Sequence, residues 1–189
     1  MVRSALAALK GLCSHVGMEW DSLLADLENR FDSERRAEIA AQSADLAEAE
    51  VASVRLVDRL RGAVGRQVHL RTVSGHQVDG LLERVVSDAV VVDEGDALRA
   101  LVPVGAVAVV QPLPGPAPVL GGERAGLVSV LRVLARQGLR VRLQLGAVEV
   151  VGRIVRVAAD HLDVITDAEE AGAQRVSVAL GALEAVRSR

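Results

Sequence analysis

Three of the four histidines are the first candidates for metal binding or acid–base chemistry. His69 and His76 flank a predicted hairpin turn, and His161 begins a predicted strand further along the chain. Imidazole is the commonest metal ligand, but a metal site needs a third ligand at a fixed spacing, and none accompanies this pair. We therefore predict ordinary surface histidines and no metal site.

An acidic turn is the next group of residues that could bind a metal ion. Asp93, Glu94 and Asp96 lie close together, but a calcium loop needs more oxygen ligands at alternating positions. The chain has no phosphate-binding glycine loop, no serine elbow and no tyrosine. The sequence thus predicts a solvated loop at the acidic turn. It also predicts no catalytic residue, no cofactor and no small-molecule substrate, so we expect a protein that is not an enzyme.

Two Arg/Asp pairs bracket corresponding turns: Arg84 with Asp88, and Arg156 with Asp160. No nucleophile or histidine accompanies both pairs, as a shared catalytic role would require. We interpret them as exposed ion pairs at hairpin ends.

Residues 1–17 read as a basic, weakly apolar leader. The leader resembles a poor signal peptide, but Lys10 interrupts it and no small-residue cleavage site follows. Cys13 and His15 have no partner at ligand spacing, so we predict a disordered leader, with Met18 as an alternative start, and a cytoplasmic protein.

Composition excludes several classes of protein. The chain has 189 residues and 19.9 kDa, with 50% hydrophobic and 25% charged residues and a net charge of -3. It is too apolar to be disordered throughout, its single cysteine excludes a disulfide scaffold, and no apolar run is long enough to cross a membrane. Aromatic residues make up only 1%, which excludes aromatic platforms that stack on bases. Lys10 is the only lysine, which is typical of a GC-rich, bacterial genome.

Residues 18–50 predict an acidic amphipathic helix. Apolar side chains at spacings of three and four form one face of this helix: Trp20, Leu23, Leu24, Leu27 and Phe31. Asp32 and Ser33 offer an N-cap, so a break there is plausible. Such a helix needs an apolar partner, which is a second copy in a coiled coil, the rest of the chain or another protein.

Beyond Gly65 the apolar period changes from helical to two, which predicts short strands. Residues 51–111 read as one helix followed by five strands, and 121–189 repeat that plan. A proline-rich stretch, residues 112–120, separates them and predicts an extended linker. Aligning the two segments pairs Gly80 with Gly152, Asp88 with Asp160, and Gly105 with Gly181.

Within these segments, Val57–Gln111 and Leu131–Ser188 resemble two copies of the Sm/LSm type of SH3-like barrel. The shared pattern is a helix, V-x-L, a turn, Gly-Leu-Leu, V-V-x-D and a final V-P-V-G-A-V, with a PRC-type barrel as an alternative relative. The resemblance implies two tandem helix-plus-five-strand barrels. With the long N-terminal helix that precedes them, we expect an α+β fold, mainly β barrels plus helices. It also implies assembly through the open edge strands.

The positions that bind RNA bases in that family differ here. Val86 and Val90 stand where RNA-binding members carry Asp and Asn, and Ala158 and Leu162 stand there in the second copy. Pro103–Gly105 replaces the Arg/Lys-Gly pair. Since aliphatic side chains cannot hydrogen-bond a base, we expect no sequence-specific RNA binding at these positions.

We therefore expect a non-catalytic interaction or scaffold protein. It would assemble through the barrel edges and the N-terminal helix, with itself as a homo-oligomer or with an unknown protein. The alternative is an RNA-binding or transcriptional regulator. Its contacts would be weak and salt-dependent, and would come from arginines of the second copy: Arg132, Arg136, Arg140 and Arg142.

Overall fold

The computed structural model describes residues 3–117, 125–167 and 173–188, and within the first helix it describes the side chains of residues 20, 22–49 and 51–53. The chain divides into two compact units, Met1–Ser53 and Val54–Arg189. The predicted α+β class is confirmed, with one long N-terminal helix followed by a large antiparallel sheet.

The first unit is a single helix, α1 (Arg3–Ser53). Its residues are mostly Ala, Glu, Leu and Arg, which favour helix. No break occurs at Asp32 and Ser33. The Ser33 hydroxyl donates a hydrogen bond to the Arg30 carbonyl at 2.8 Å, as serine does inside a helix, and does not cap a new one. None of the described helices is both long and apolar enough to span a membrane. The backbone of residues 3–17, in the predicted leader, lies within α1, and their side chains lie outside the described residues. The disorder of this leader stays a prediction.

In its described residues, the second unit contains two short helices, ten strands and two 3-10 turns. In chain order they are α2 (Leu56–Gly62), β1 (Gln67–Thr72), β2 (Gln77–Val85), β3 (Ala89–Gly95), β4 (Leu98–Pro103), a 3-10 turn (Val104–Ala106), β5 (Val107–Gln111), α3 (Leu127–Gln137), β6 (Arg140–Leu145), β7 (Val148–Val157), β8 (His161–Thr166), β9 (Arg175–Ala179), a 3-10 turn (Leu180–Ala182) and β10 (Ala185–Ser188).

The ten strands form one sheet in the order β5-β1-β2-β3-β4-β10-β6-β7-β8-β9. The first repeat, which we define as Leu56–Gln111, and the second repeat, Leu127–Ser188, each contribute five strands in the same relative order. The prediction of two tandem barrels is not borne out in this form. The sheet is not closed, and β4 pairs with β10, which makes it continuous across the two repeats.

The strand register confirms the repeat that the sequence predicted. Val68 pairs with Gly80 in the first repeat, and Val141 pairs with Gly152 in the second. Both repeats carry an irregularity at the same place in the second strand pair, between Leu82 and Arg84 and between Ile154 and Arg156. The repeats are therefore equivalent strand by strand.

Glycine is required at the two matched strand positions because the backbone of a neighbouring strand approaches closely. A Cβ atom on Gly80 would lie 2.1 Å from the Asp93 carbonyl oxygen, and a Cβ on Gly152 would lie 2.1 Å from the Ile165 carbonyl oxygen. Gly138 has a different role: its φ of 63° ends α3 in the left-handed conformation that glycine adopts without strain.

The proline-rich stretch packs on α2 over its described part, residues 112–117. Arg59 donates hydrogen bonds from Nε to the Pro114 carbonyl at 3.1 Å and from Nη2 to the Leu113 carbonyl at 2.8 Å. The amide of Ala117 donates to the Asp58 carbonyl at 3.0 Å. The rest of the predicted linker, residues 118–120, lies outside the described residues.

Candidate interaction surfaces

The apolar row on α1 is exposed, as its predicted role in association requires. Its members have relative exposures from 41% for Leu27 to 65% for Phe31, and the full set is Trp20, Leu23, Leu24, Leu27 and Phe31. Burying one such side chain is worth roughly 1.5–3 kcal/mol. The row is therefore a candidate contact surface, for which a second copy, the rest of the chain and another protein are the predicted partners.

The first and second repeats contact each other through one edge strand of each. Strand β10 lies antiparallel to β4, with Val186 opposite Leu101. Three side chains of the first repeat, Val86, Ala89 and Leu101, are buried in the hydrophobic cluster of the second repeat. The contact is thus a strand ladder with an apolar layer behind it.

Polar contacts also link the two repeats near the pairing of β4 with β10, which we call the joint. Arg187 on β10 donates from Nε to Glu94 at 2.7 Å and from Nη2 to the Gln77 carbonyl at 2.8 Å. The Asp88 carboxylate accepts a hydrogen bond from the Leu127 amide at 2.6 Å. Because α3 has Gly126 at its N-cap, a carboxylate of the first repeat satisfies a free amide of the second. Asp88 is therefore a helix cap across the joint, not the predicted partner of Arg84.

A buried carboxylate at the joint escaped the sequence reasoning. Glu184, just before β10, is only 5% exposed. It accepts hydrogen bonds from the Thr72 hydroxyl at 2.6 Å and from the Ser74 hydroxyl of the first repeat. His76 lies beside them, with its Nε2 2.7 Å from the Gly146 carbonyl oxygen. The available signal was that Glu184 interrupts an apolar segment where the first repeat has Ala108.

These contacts set the ionisation of Glu184. Burial by itself raises the pKa of the carboxyl group. The hydrogen bonds from Ser74 and Thr72, together with the charge of His76, outweigh burial and lower the pKa below its ordinary value of 4.5. The ionised form therefore stabilises the joint above pH 4.5, and this contribution is lost as the pH falls through the lowered pKa.

We expect Glu184→Gln to lower the free energy of unfolding by about 2 kcal/mol at pH 7, because charged hydrogen bonds to a buried group are lost. The variant should also unfold with less dependence on pH in the acid range. Urea unfolding at several pH values measures both effects. Glu149→Gln, at an exposed carboxylate 3.5 Å from Arg142, is the matched control and should change stability little. An equally stable Glu184→Gln protein would contradict the role given to this carboxylate.

The predicted surface histidines have local partners. His69 Nδ1 lies 2.9 Å from Asp79, and His161 Nδ1 lies 2.7 Å from Asp160. Among the described residues, no group of three or more His, Cys, Asp or Glu side chains is arranged to hold a metal ion. Cys13 and His15 lie outside the residues whose side chains are described.

The acidic turn has structural partners as well. The Asp93 carboxylate accepts a hydrogen bond from the Gly95 amide at 3.0 Å, which shapes the turn. Glu94 pairs with Arg187 and so belongs to the joint between the repeats.

The arginines proposed to contact nucleic acid divide into two groups. Arg132 and Arg136 are exposed on α3. Arg140 forms an ion pair with Asp167, and Arg142 lies 3.5 Å from Glu149. The carboxylates next to Arg140 and Arg142 weaken their attraction for phosphate.

The positions that the sequence resemblance matched to base-binding residues are largely inside the fold. Val90 and Leu162 are fully buried, and Val86 is 5% exposed. At these three positions the side chains contribute to the hydrophobic cores and present no polar group to a base.

Strands β5 and β9 end the sheet. The side chains at β9 are more polar than the equivalent side chains of β4 at the joint. On the outer face of the second repeat, Ser177 stands where the first repeat has Leu101, and it donates a hydrogen bond to Asp163 at 2.8 Å. Asp163 in turn occupies the place of Val91. A strand added to β9 would therefore meet polar side chains where β10 meets apolar ones.

No protein-family model, curated protein or solved structure matches this chain.

Proposed function

We propose that this chain is a non-catalytic interaction protein that assembles through α1 and, to a lesser extent, through the free edges of its sheet. In this proposal the two repeats are SH3-like units of the Sm type, joined edge to edge. The observation that carries the proposal is the exposed apolar row on α1. Five large apolar side chains on one helix face favour association with an apolar partner over exposure to water.

The pairing of β4 with β10 supports edge assembly as a mode of contact. It is an edge-to-edge contact between two equivalent units, and β5 and β9 each have only one neighbour among the described strands. Among the described residues, the polar side chains Ser177 and Asp163 occupy the places at β9 that the apolar Leu101 and Val91 occupy at the joint. The proposal therefore assigns the main contact to α1 and a weaker one to the edges.

The test is the mass of the full chain in solution with charges placed on α1. We expect Leu24→Glu to reduce the assembled mass to the 19.9 kDa of one chain, because a carboxylate cannot be buried in an apolar contact. Asn29→Glu is the matched control, since residue 29 lies outside the apolar row, and it should leave the mass unchanged. Light scattering after size exclusion gives both masses. An assembled mass that Leu24→Glu leaves intact would refute the role of α1.

A further inference from the structure

We propose that α1 pairs with α1 of a second copy of this chain, in an antiparallel coiled coil centred on the segment Trp20–Phe31. This inference rests on the proposed function, in which α1 is the main assembly element, and it names the partner and the orientation. Trp20, Leu24, Leu27 and Phe31 follow one another at spacings of four, three and four residues, which is the heptad pattern of a two-helix seam. All four side chains are exposed, from 41% to 65%.

The same seam becomes acidic beyond Phe31. Continuing the heptad spacing leads to Glu34, Glu38, Ala41, Asp45 and Glu48. The apolar residues Ile39 and Leu46 lie one position off the seam. The coiled coil therefore has an apolar centre of four positions and a flank in which most seam positions carry a carboxylate.

A parallel pair would place these acids against their own copies. In a parallel coiled coil each seam residue faces the same residue of the other helix, so Glu34, Glu38, Asp45 and Glu48 would each face an identical carboxylate. Like charges in direct contact disfavour that arrangement. The segment that carries most of these acids offers no positive charge to offset the repulsion, because residues 37–53 contain no lysine or arginine.

An antiparallel pair removes all four acid contacts. With Trp20 facing Phe31 of the second copy and Leu24 facing Leu27, the layers that follow pair residue 34 with 17, 38 with 13, 45 with 6, and 48 with 3. The sequence has Gly17, Cys13, Leu6 and Arg3 at those positions. Residues 1–18 contain Arg3 and Lys10 and no acid. The antiparallel arrangement thus lays residues 37–48, whose only charges are acidic, along residues 3–14, which contain Arg3 and Lys10 and no acid.

The single cysteine makes the orientation testable in the full chain. A parallel coiled coil brings Cys13 next to Cys13 of the second copy, whereas the antiparallel one brings it next to position 38. We expect oxidation of the wild-type protein to give no disulfide-linked dimer. Glu38→Cys should give a linked dimer in high yield, because each thiol introduced at position 38 then faces Cys13 of the second copy.

A double variant, Cys13→Ser with Glu38→Cys, is the matched control and should give no linked dimer. Light scattering on each reduced sample tests the proposed function independently, through the assembled mass. A linked dimer in the wild type or in the double variant would show parallel pairing and overturn the orientation while the assembly role of α1 stands. A mass of one chain in every sample would overturn the second copy as the partner, and so would assembled samples in which Glu38→Cys gives no linked dimer.

Discussion

Leu101→Ser is expected to lower the free energy of unfolding by about 4 kcal/mol and the melting temperature by about 10 °C. Leu101 is 4% exposed and lies in the hydrophobic cluster of the second repeat, although it belongs to β4 of the first. The variant removes this apolar contact and places a hydroxyl where it lacks a partner. Such a loss is a large fraction of the stability of a typical domain.

The two repeats supply their own control for this variant. Ser177 occupies the position of Leu101 in the second repeat and is exposed. The reverse change, Ser177→Leu, should alter the free energy of unfolding by less than about 0.5 kcal/mol. Thermal and urea unfolding measure both variants. Equal effects at the two positions would mean that the joint between the repeats adds nothing to stability.

Gly152→Ala is the second substitution with a large expected effect, about 3 kcal/mol of destabilisation. The new Cβ would lie 2.1 Å from the Ile165 carbonyl oxygen and 2.8 Å from the Val164 Cγ1 atom. Strands β7 and β8 would have to separate at this point, which weakens their ladder.

Gly181→Ala is the matched control, because among the described residues no heavy atom beyond its own chain neighbours lies within 4 Å of a Cβ built there. It should leave the stability unchanged or raise it slightly by restricting the unfolded chain. Urea denaturation of both variants measures the difference. A Gly152→Ala protein as stable as Gly181→Ala would show that the backbone approach at β7 is not a constraint.

Much of the fold could be predicted because each element carries a local signal. The apolar row from Trp20 to Phe31 indicated a helix, Gly138 marked the end of α3, and alternating valines marked the strands. The alignment of Gly80 with Gly152 predicted the common register. The structure adds the reason for glycine at both positions, which is that the neighbouring backbone comes too close for a Cβ atom.

The continuity of the sheet could not be predicted in the same way. It depends on the pairing of β4 with β10. These strands lie far apart in sequence, so no hairpin turn joins them and no local pattern predicts that they pair. The two copies did contain a hint, since Leu101 is apolar and its equivalent Ser177 is polar. That difference has meaning only once the structure shows that the second repeat covers Leu101 and that nothing described covers Ser177.

The candidate surfaces also differ in whether a local sequence pattern predicts them. The row on α1 follows from spacing alone. The Glu184 cluster does not, because Thr72, Ser74 and Glu184 meet only through the fold. Asp88 is similar: a residue predicted to pair within a hairpin instead caps a helix of the other repeat.

Sedimentation equilibrium of the wild-type full chain over a dilution series tests the central claim, self-assembly through α1, most directly. We predict a mass of twice the 19.9 kDa of one chain that falls toward a single chain on dilution. A mass of 19.9 kDa at every concentration would contradict the account.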